Sequence, residues 1–171
     1  MLIRELNEAD FTLFWNLRFS ALMESPDAFG ATYEEEVNKP IELLESIFIN
    51  YIAPKDENFV LGAFDKNNLL IGMVGLRREK RIKLRHKANF WGMYVLSDYR
   101  KEGVGNLLMS QLISKGKSME GLEQINLCVV SDNIKAKKLY KSFGFLTYGT
   151  EQKAMKIDNR YLDEYLMVLY L

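Results

Sequence analysis

The sequence predicts an α/β domain built on one mixed sheet, and three observations carry that prediction. Short segments with the apolar, aromatic and β-branched character of buried strands alternate with segments of helical period. Two of the strands, Phe90 to Leu96 and Ile125 to Val130, each run through a turn into a helix, the connection on which α/β sheets are built. The composition, 48% hydrophobic and 27% charged over 171 residues, is that of an ordinary globular domain. Linker, repeat and low-complexity tracts are not seen, so residues 1–171 are expected to form one domain.

The elements follow in order. Leu2 to Leu6 read as a first strand. Asn7 caps a helix carrying Phe11, Phe14, Trp15, Arg18 and Leu22 that stops at Ser25-Pro26. Pro40 starts a second helix with Ile41, Leu44, Ile47 and Phe48 facing inward. Phe59 to Phe64 and Leu69 to Leu76 are strands joined by the turn Asp65-Lys66-Asn67-Asn68. After the Phe90 strand, Val104, Leu107, Leu108, Gln111 and Leu112 mark a long helix, with Gly121 suited to end it. After the Ile125 strand, Ser131 or Asp132 caps a short helix with Ala136, Leu139, Tyr140 and Phe143 on one face, and Gly144 suits its exit. Phe145 to Tyr148 and Tyr161 to Tyr170 are the last strands, joined through Ile157-Asp158-Asn159-Arg160. The total is about seven strands and about four helices.

Composition excludes several function classes. Lys and Arg number 23, as do Asp and Glu, so the balance gives no general attraction to nucleic acid or to a membrane surface. The opening Met1-Leu2-Ile3-Arg4-Glu5 lacks an apolar signal core, and no run is long enough to span a bilayer. Cys128 is the only cysteine, so an internal disulfide is ruled out and a cytoplasmic setting is expected; it reads as a core residue of its strand. His86 is the only histidine, which leaves no Cys/His set for a metal, and no metal is expected.

Two segments carry chemistry. Arg100-Lys101-Glu102-Gly103-Val104-Gly105 sits at a strand-to-helix turn. A helix start has unpaired N–H groups and partial positive charge, glycines let the backbone approach a ligand, and a pyrophosphate is the usual guest. Arg100 and Lys101 add cations, while Glu102 is expected to point outward. A plain helix start with a flexible turn is the other reading. The Walker loop is absent, and Met109 lies near where a dinucleotide fingerprint would need its third glycine. The second segment is Asn133-Ile134-Lys135-Ala136-Lys137-Lys138-Leu139-Tyr140 followed by Gly144-Phe145; taken alone it reads equally as a short amphipathic helix with a core tyrosine.

In this order and spacing the two segments resemble the acyl-coenzyme A site of the Gcn5-related N-acetyltransferase (GNAT) family. Arg100, Gly103 and Gly105 match the family pattern Arg/Gln-x-x-Gly-x-Gly/Ala. The departure is Lys101, where many members have glycine. The element order is similar to the GNAT fold over essentially the whole chain. The resemblance implies acetyl-coenzyme A as co-substrate, held by Met93, Tyr94, Val95, Arg100, Lys101, Glu102, Gly103, Val104, Gly105, Asn106, Asn133, Ala136 and Tyr140. The backbone near Met93 to Val95 would polarise the thioester, Asn133 would bind the pantetheine arm, and the Tyr140 phenol would protonate the leaving thiolate. The connection from Phe29 through Tyr33 and Glu34 to Glu36 would cover the acceptor, either attracting a cationic amine or simply solvated.

The implied activity is direct acetyl transfer to a primary amine of a small molecule or of a peptide or protein N terminus, with a homodimer plausible. A coenzyme-binding module without catalysis, and a transferase of another acyl group, are the alternatives. The glutamate that some family members carry on the strand before the glycine loop has no counterpart in Ala88-Asn89-Phe90-Trp91, which leaves Glu34 or a relayed water as the base. Asp163-Glu164 reads as edge solubility or as acceptor binding. The basic stretch Arg77 to Lys87 reads as a half-exposed hairpin tip, or as a contact for an acidic partner or the coenzyme's outer phosphate.

Overall fold

The computed structural model describes residues 1–54 and 57–171. The strands are β1 (Leu2–Glu5), β2 (Asn58–Phe64), β3 (Leu70–Arg78), β4 (Lys87–Val95), β5 (Gln124–Val130), β6 (Leu146–Ile157) and β7 (Arg160–Tyr170). The α-helices are α1 (Phe11–Glu24), α2 (Tyr33–Val37), α3 (Ile41–Ile52), α4 (Val104–Ser118) and α5 (Ile134–Ser142). The strands form one sheet in the order β1-β2-β3-β4-β5-β7-β6. Among the described residues only the β4–β5 pair is parallel, so the sheet is mixed, as the sequence predicts.

Every residue of β2 is buried, because both faces of the sheet are covered there. One core packs α4 against the strands through Val104, Leu108, Met109 and Leu112, with Tyr140 and Phe145 from the α5 region. The other packs Phe14, Trp15, Leu17 and Ala21 of α1 and Leu44, Phe48 and Ile52 of α3 against Leu6, Val60, Met73 and Tyr94. At the amino end, Arg4 grips the buried Asp10 through two hydrogen bonds of 2.7 Å, and Asp10 also accepts from Asn7 N–H at 2.9 Å.

The expected fold class stands, and among the described residues a short fifth helix, α2, capped reciprocally by Thr32 and Glu35, joins the four expected ones. Several local expectations are corrected. Asn7 caps a single 3₁₀ turn, and α1 starts only at Phe11. Ile41 and Leu107 face solvent. The α4 helix ends at Ser118, before Gly121, whose φ of +69° serves the following turn. In the basic hairpin tip, Ile82–Leu84 is a 3₁₀ turn with Ile82 90% exposed. Cys128 is exposed, because the β5 face that carries it opens onto the cleft described next.

Candidate active site

The β4–β5 ladder lasts for three register pairs, Lys87–Gln124, Ala88–Ile125 and Asn89–Asn126, although β4 runs on to Val95 and β5 to Val130. Beyond Asn89 the strands part. The cause is local: between Trp91 and Tyr94 the ladder to β3 shifts by one residue, and Gly92 there has φ +68°. This is a bulge, which bends the strand that carries it. The Trp91 indole lies over Gly75, where a Cβ would come within 2.2 Å of it. The parting opens a cleft of about 740 Å³.

At one end of the cleft the chain passes from β4 to α4. Tyr99 donates to Asp65 in the β2–β3 turn at 3.1 Å and anchors this passage. Lys101 (φ +70°) and Gly103 (φ +82°) are left-handed, which explains why glycine is usual in the family at the position of Lys101. Gly103 is the N-cap of α4, and no side chain caps the helix. The first helical bond runs from Leu107 N–H to Gly103 C=O at 3.0 Å, so the N–H groups of Val104, Gly105 and Asn106 are open. Gly105 matters for space rather than backbone angle: a Cβ there would lie 3.3 Å from Met93 Cε. Arg100 turns inward, donating from Nε to Val95 C=O at 2.9 Å and from Nη2 to Glu24 at 3.3 Å, its guanidinium 5.5 Å from the centre of the Tyr94 ring. Burial, with Glu24 adding to it, pushes the Tyr94 phenol up.

The opposite wall is α5. Its N-cap is Asn133, whose Oδ1 accepts from Ala136 N–H at 3.1 Å, in place of the expected Ser131 or Asp132. Tyr140 is 5% exposed, and its ring packs edge-on to Phe90 at 5.2 Å. Burial raises its phenol above the ordinary value, so it stays protonated throughout the physiological range.

The third wall is the Pro26–Ala28 turn, which with Ser25 and Phe29 closes the cleft above Cys128 and Val130. Arg160 in the β6–β7 hairpin holds Asp27 of that turn at 2.5 Å. Val130 lies opposite Glu164 on β7, and Glu164 lies opposite Glu151 on β6. Burial, then the Glu151 charge, raises the Glu164 carboxyl; burial and both carboxylates raise the Cys128 thiol.

The acetyltransferase (GNAT) domain profile matches residues 3–166. The chain belongs to the GNAT acetyltransferase family. It is 32% identical to the L-amino acid N-acetyltransferase AaaT of Escherichia coli (strain K12) over 98 residues, 57% of this chain and 60% of that relative's length. A GNAT-family acetyltransferase from Streptococcus pneumoniae superimposes with a TM-score of 0.86 at 26% identity, covering 99% of each chain. The yncA protein of Salmonella typhimurium, solved with its cofactor acetyl-CoA, matches with a TM-score of 0.81 at 20% identity, over 100% of this chain and 94% of that one.

Among the residues that the GNAT resemblance singles out, Met93, Tyr94, Val95, Arg100, Lys101, Gly103, Val104, Gly105, Asn106, Asn133, Ala136 and Tyr140 all line the one cleft. Glu102 is exposed and outside the lining. Tyr33 and Glu34 are also outside it: Tyr33 packs on Phe19 at 5.8 Å, and Glu34 faces solvent. The acidic run is largely spent on structure, Glu35 in the cap and Glu36 buried against Lys39 at 2.7 Å. The basic stretch 77–87 precedes β4 and so lies at the opposite end of that strand from the cleft, away from any phosphate bound at α4. Of the connection expected to cover the acceptor, Phe29 lines the cleft in place of Tyr33 and Glu34, and sequence reasoning missed Cys128, a thiol on an otherwise ordinary strand. Among the described residues no group of three or more His, Cys, Asp or Glu could hold a metal, and no helix is long and apolar enough to cross a membrane.

Proposed function

We propose that this acetyltransferase uses acetyl-coenzyme A and transfers its acetyl group directly to a primary amine, with both reactants in the cleft together. The observation that carries the reading is the parted β4–β5 pair ending at an uncapped helix start. The fit to the coenzyme is chemical at each end. Open N–H groups of Val104, Gly105 and Asn106, with the exposed Lys101 beside them, suit a pyrophosphate. The unpaired β4 edge from Phe90 to Val95 suits the amides of a pantetheine arm, as does the Asn133 side chain. Arg100 acts in this reading as a positioning residue that holds the Val95 carbonyl.

The thioester supplies an activated acetyl group; the chain supplies placement and protons. Backbone N–H groups of the bulged β4 stretch stabilise negative charge growing on the carbonyl oxygen. Tyr140 offers its hydroxyl to the departing sulfur. The ammonium must lose a proton before attack, because only the free amine has a lone pair; we assign Glu164, across the ladder from cleft-lining Val130, to receive it. For the acceptor we adopt an amino acid, as in the AaaT relative.

The test is thermal unfolding with and without acetyl-coenzyme A, followed by thiol release with a panel of amines. Binding to the folded state must raise the melting temperature. Gly105→Asp places a carboxylate where phosphate is expected and should abolish that rise. A wild-type melting temperature unmoved by saturating coenzyme, or an unchanged rise in a folded Gly105→Asp variant, would falsify the assignment.

A further inference from the structure

Arg18 differs from the arginines that hold ion pairs. Arg4, Arg85, Arg100 and Arg160 each pair with a carboxylate. Arg18, on α1, is largely buried, yet among the described residues no carboxylate or carbonyl accepts a hydrogen bond from it. Its guanidinium stacks 4.7 Å from the centre of the Phe29 ring, and Phe29 lines the cleft. The carboxylate that reaches it is that of Glu36, already matched by Lys39 at 2.7 Å, while burial raises the Tyr51 phenol and keeps it neutral. Tyr51 in turn stacks at 4.3 Å on Trp91, a second cleft residue. Arg18 is thus a cation that cannot discharge, stacked behind the cleft-lining Phe29 ring and with no acceptor among the described residues.

We propose that Arg18 receives the carboxylate of the acceptor, which makes that acceptor a free α-amino acid with an apolar or aromatic side chain. The inference rests on the transfer reading above and refines it. The planar fork of an arginine matches a carboxylate through two parallel bonds. Phe29 and Trp91, the latter backed by Tyr51, give the side chain an apolar surface. A diamine would bring a second cation against Arg18, and a peptide N terminus would leave Arg18 unpaired.

The experiment compares kcat/KM for L-leucine and L-phenylalanine with that for their amides, and for putrescine, at pH 8. The amide's amine is the less basic there, so a preference for the acid cannot arise from amine ionisation. Wild type should favour each acid over its amide by about 10- to 100-fold, the worth of a charged hydrogen-bonded pair. Arg18→Met should remove that preference while leaving amide turnover and the acetyl-coenzyme A thermal shift unchanged; Arg18→Lys, with charge but no fork, should fall between. Amides or putrescine used as well as the acids would overturn the proposal, as would Arg18→Met lowering acid and amide turnover equally. Should Arg18→Met not fold, the wild-type ratio and Arg18→Lys decide. A protein that binds acetyl-coenzyme A but acetylates neither acid overturns this inference alone, whereas one that shows no coenzyme-induced shift overturns the transfer reading beneath it.

Discussion

Tyr140→Phe separates the proposed chemistry from packing. The ring sits among Phe90 at 5.2 Å and Phe145 at 6.1 Å, and phenylalanine keeps both contacts. Among the described residues the hydroxyl has no hydrogen-bond partner within the chain, so its removal breaks nothing internal and the melting temperature should stay level or rise slightly. The raised phenol then sets the size of the catalytic effect. An ordinary phenol near pKa 10 is already a weaker acid than a thiol near 8.5. Burial makes Tyr140 weaker still, so it hydrogen-bonds the departing thiolate more than it hands over the proton. A hydrogen bond to a charged group is worth about 1.5–3 kcal/mol. The variant should therefore lose about 10- to 100-fold in kcat, at or below the lower end of the range for general-acid groups. Stopped-flow thiol release under single-turnover conditions is the assay, with coenzyme affinity by calorimetry expected within a few fold of wild type. Single-turnover rates equal to wild type would refute the role, and a large loss of coenzyme affinity would make Tyr140 a binding residue instead.

Three further outcomes are expected. Lys101→Gly relieves a left-handed lysine and should leave stability level or raise it by up to about 1 kcal/mol by denaturant melts, while weakening coenzyme binding through the lost cation. Glu164→Gln should depress turnover most at high pH and flatten the acid limb of the rate profile. Glu151→Gln should move that limb to lower pH, because the neighbouring charge that raises Glu164 is gone; Cys128, the other titrating group facing Glu164, stays in place. A limb unmoved in both variants would clear Glu164 of the proton transfer. Asp10→Ala strands Arg4 and the Asn7 N–H and should cost about 1–3 kcal/mol by urea titration. The Arg4 hydrogen bonds hold the Asp10 carboxyl below its usual range, so its stabilisation is complete above about pH 4 and fades as pH falls through the folded value. A stability curve for the variant parallel to wild type between pH 5 and 2 would contradict this.

How much was legible depended on whether a residue's partner was near it in sequence. The glycine loop and the Asn133-to-Tyr140 helix could be read because each is a local pattern whose chemistry is set by a turn or a cap. The cleft itself could not be read, since it follows from a bulge at Gly92 that only a pairing register reveals. Glu34 looked available because the run Tyr33-Glu34-Glu35-Glu36 gave no sign that Thr32 and Lys39 would engage its neighbours. Cys128 looked like core for a related reason: alternation along β5 does not say that one face will lose its cover. Arg18 was legible only as a member of a helix face, its lack of an acceptor being a tertiary fact.

An open sheet ordinarily has two rims, and the parting of β4 from β5 gives this one two more, facing each other inside the molecule. Rims recruit foreign strands. Here the recess shields them from another chain while it is narrow, and a bound ligand would cover them outright. Starved of ligand and warmed until the recess breathes, the protein should be lost first by self-association from its middle, with the outer strands β1 and β6 still paired. Coenzyme supply would then set how long the folded protein lasts as well as how fast it works.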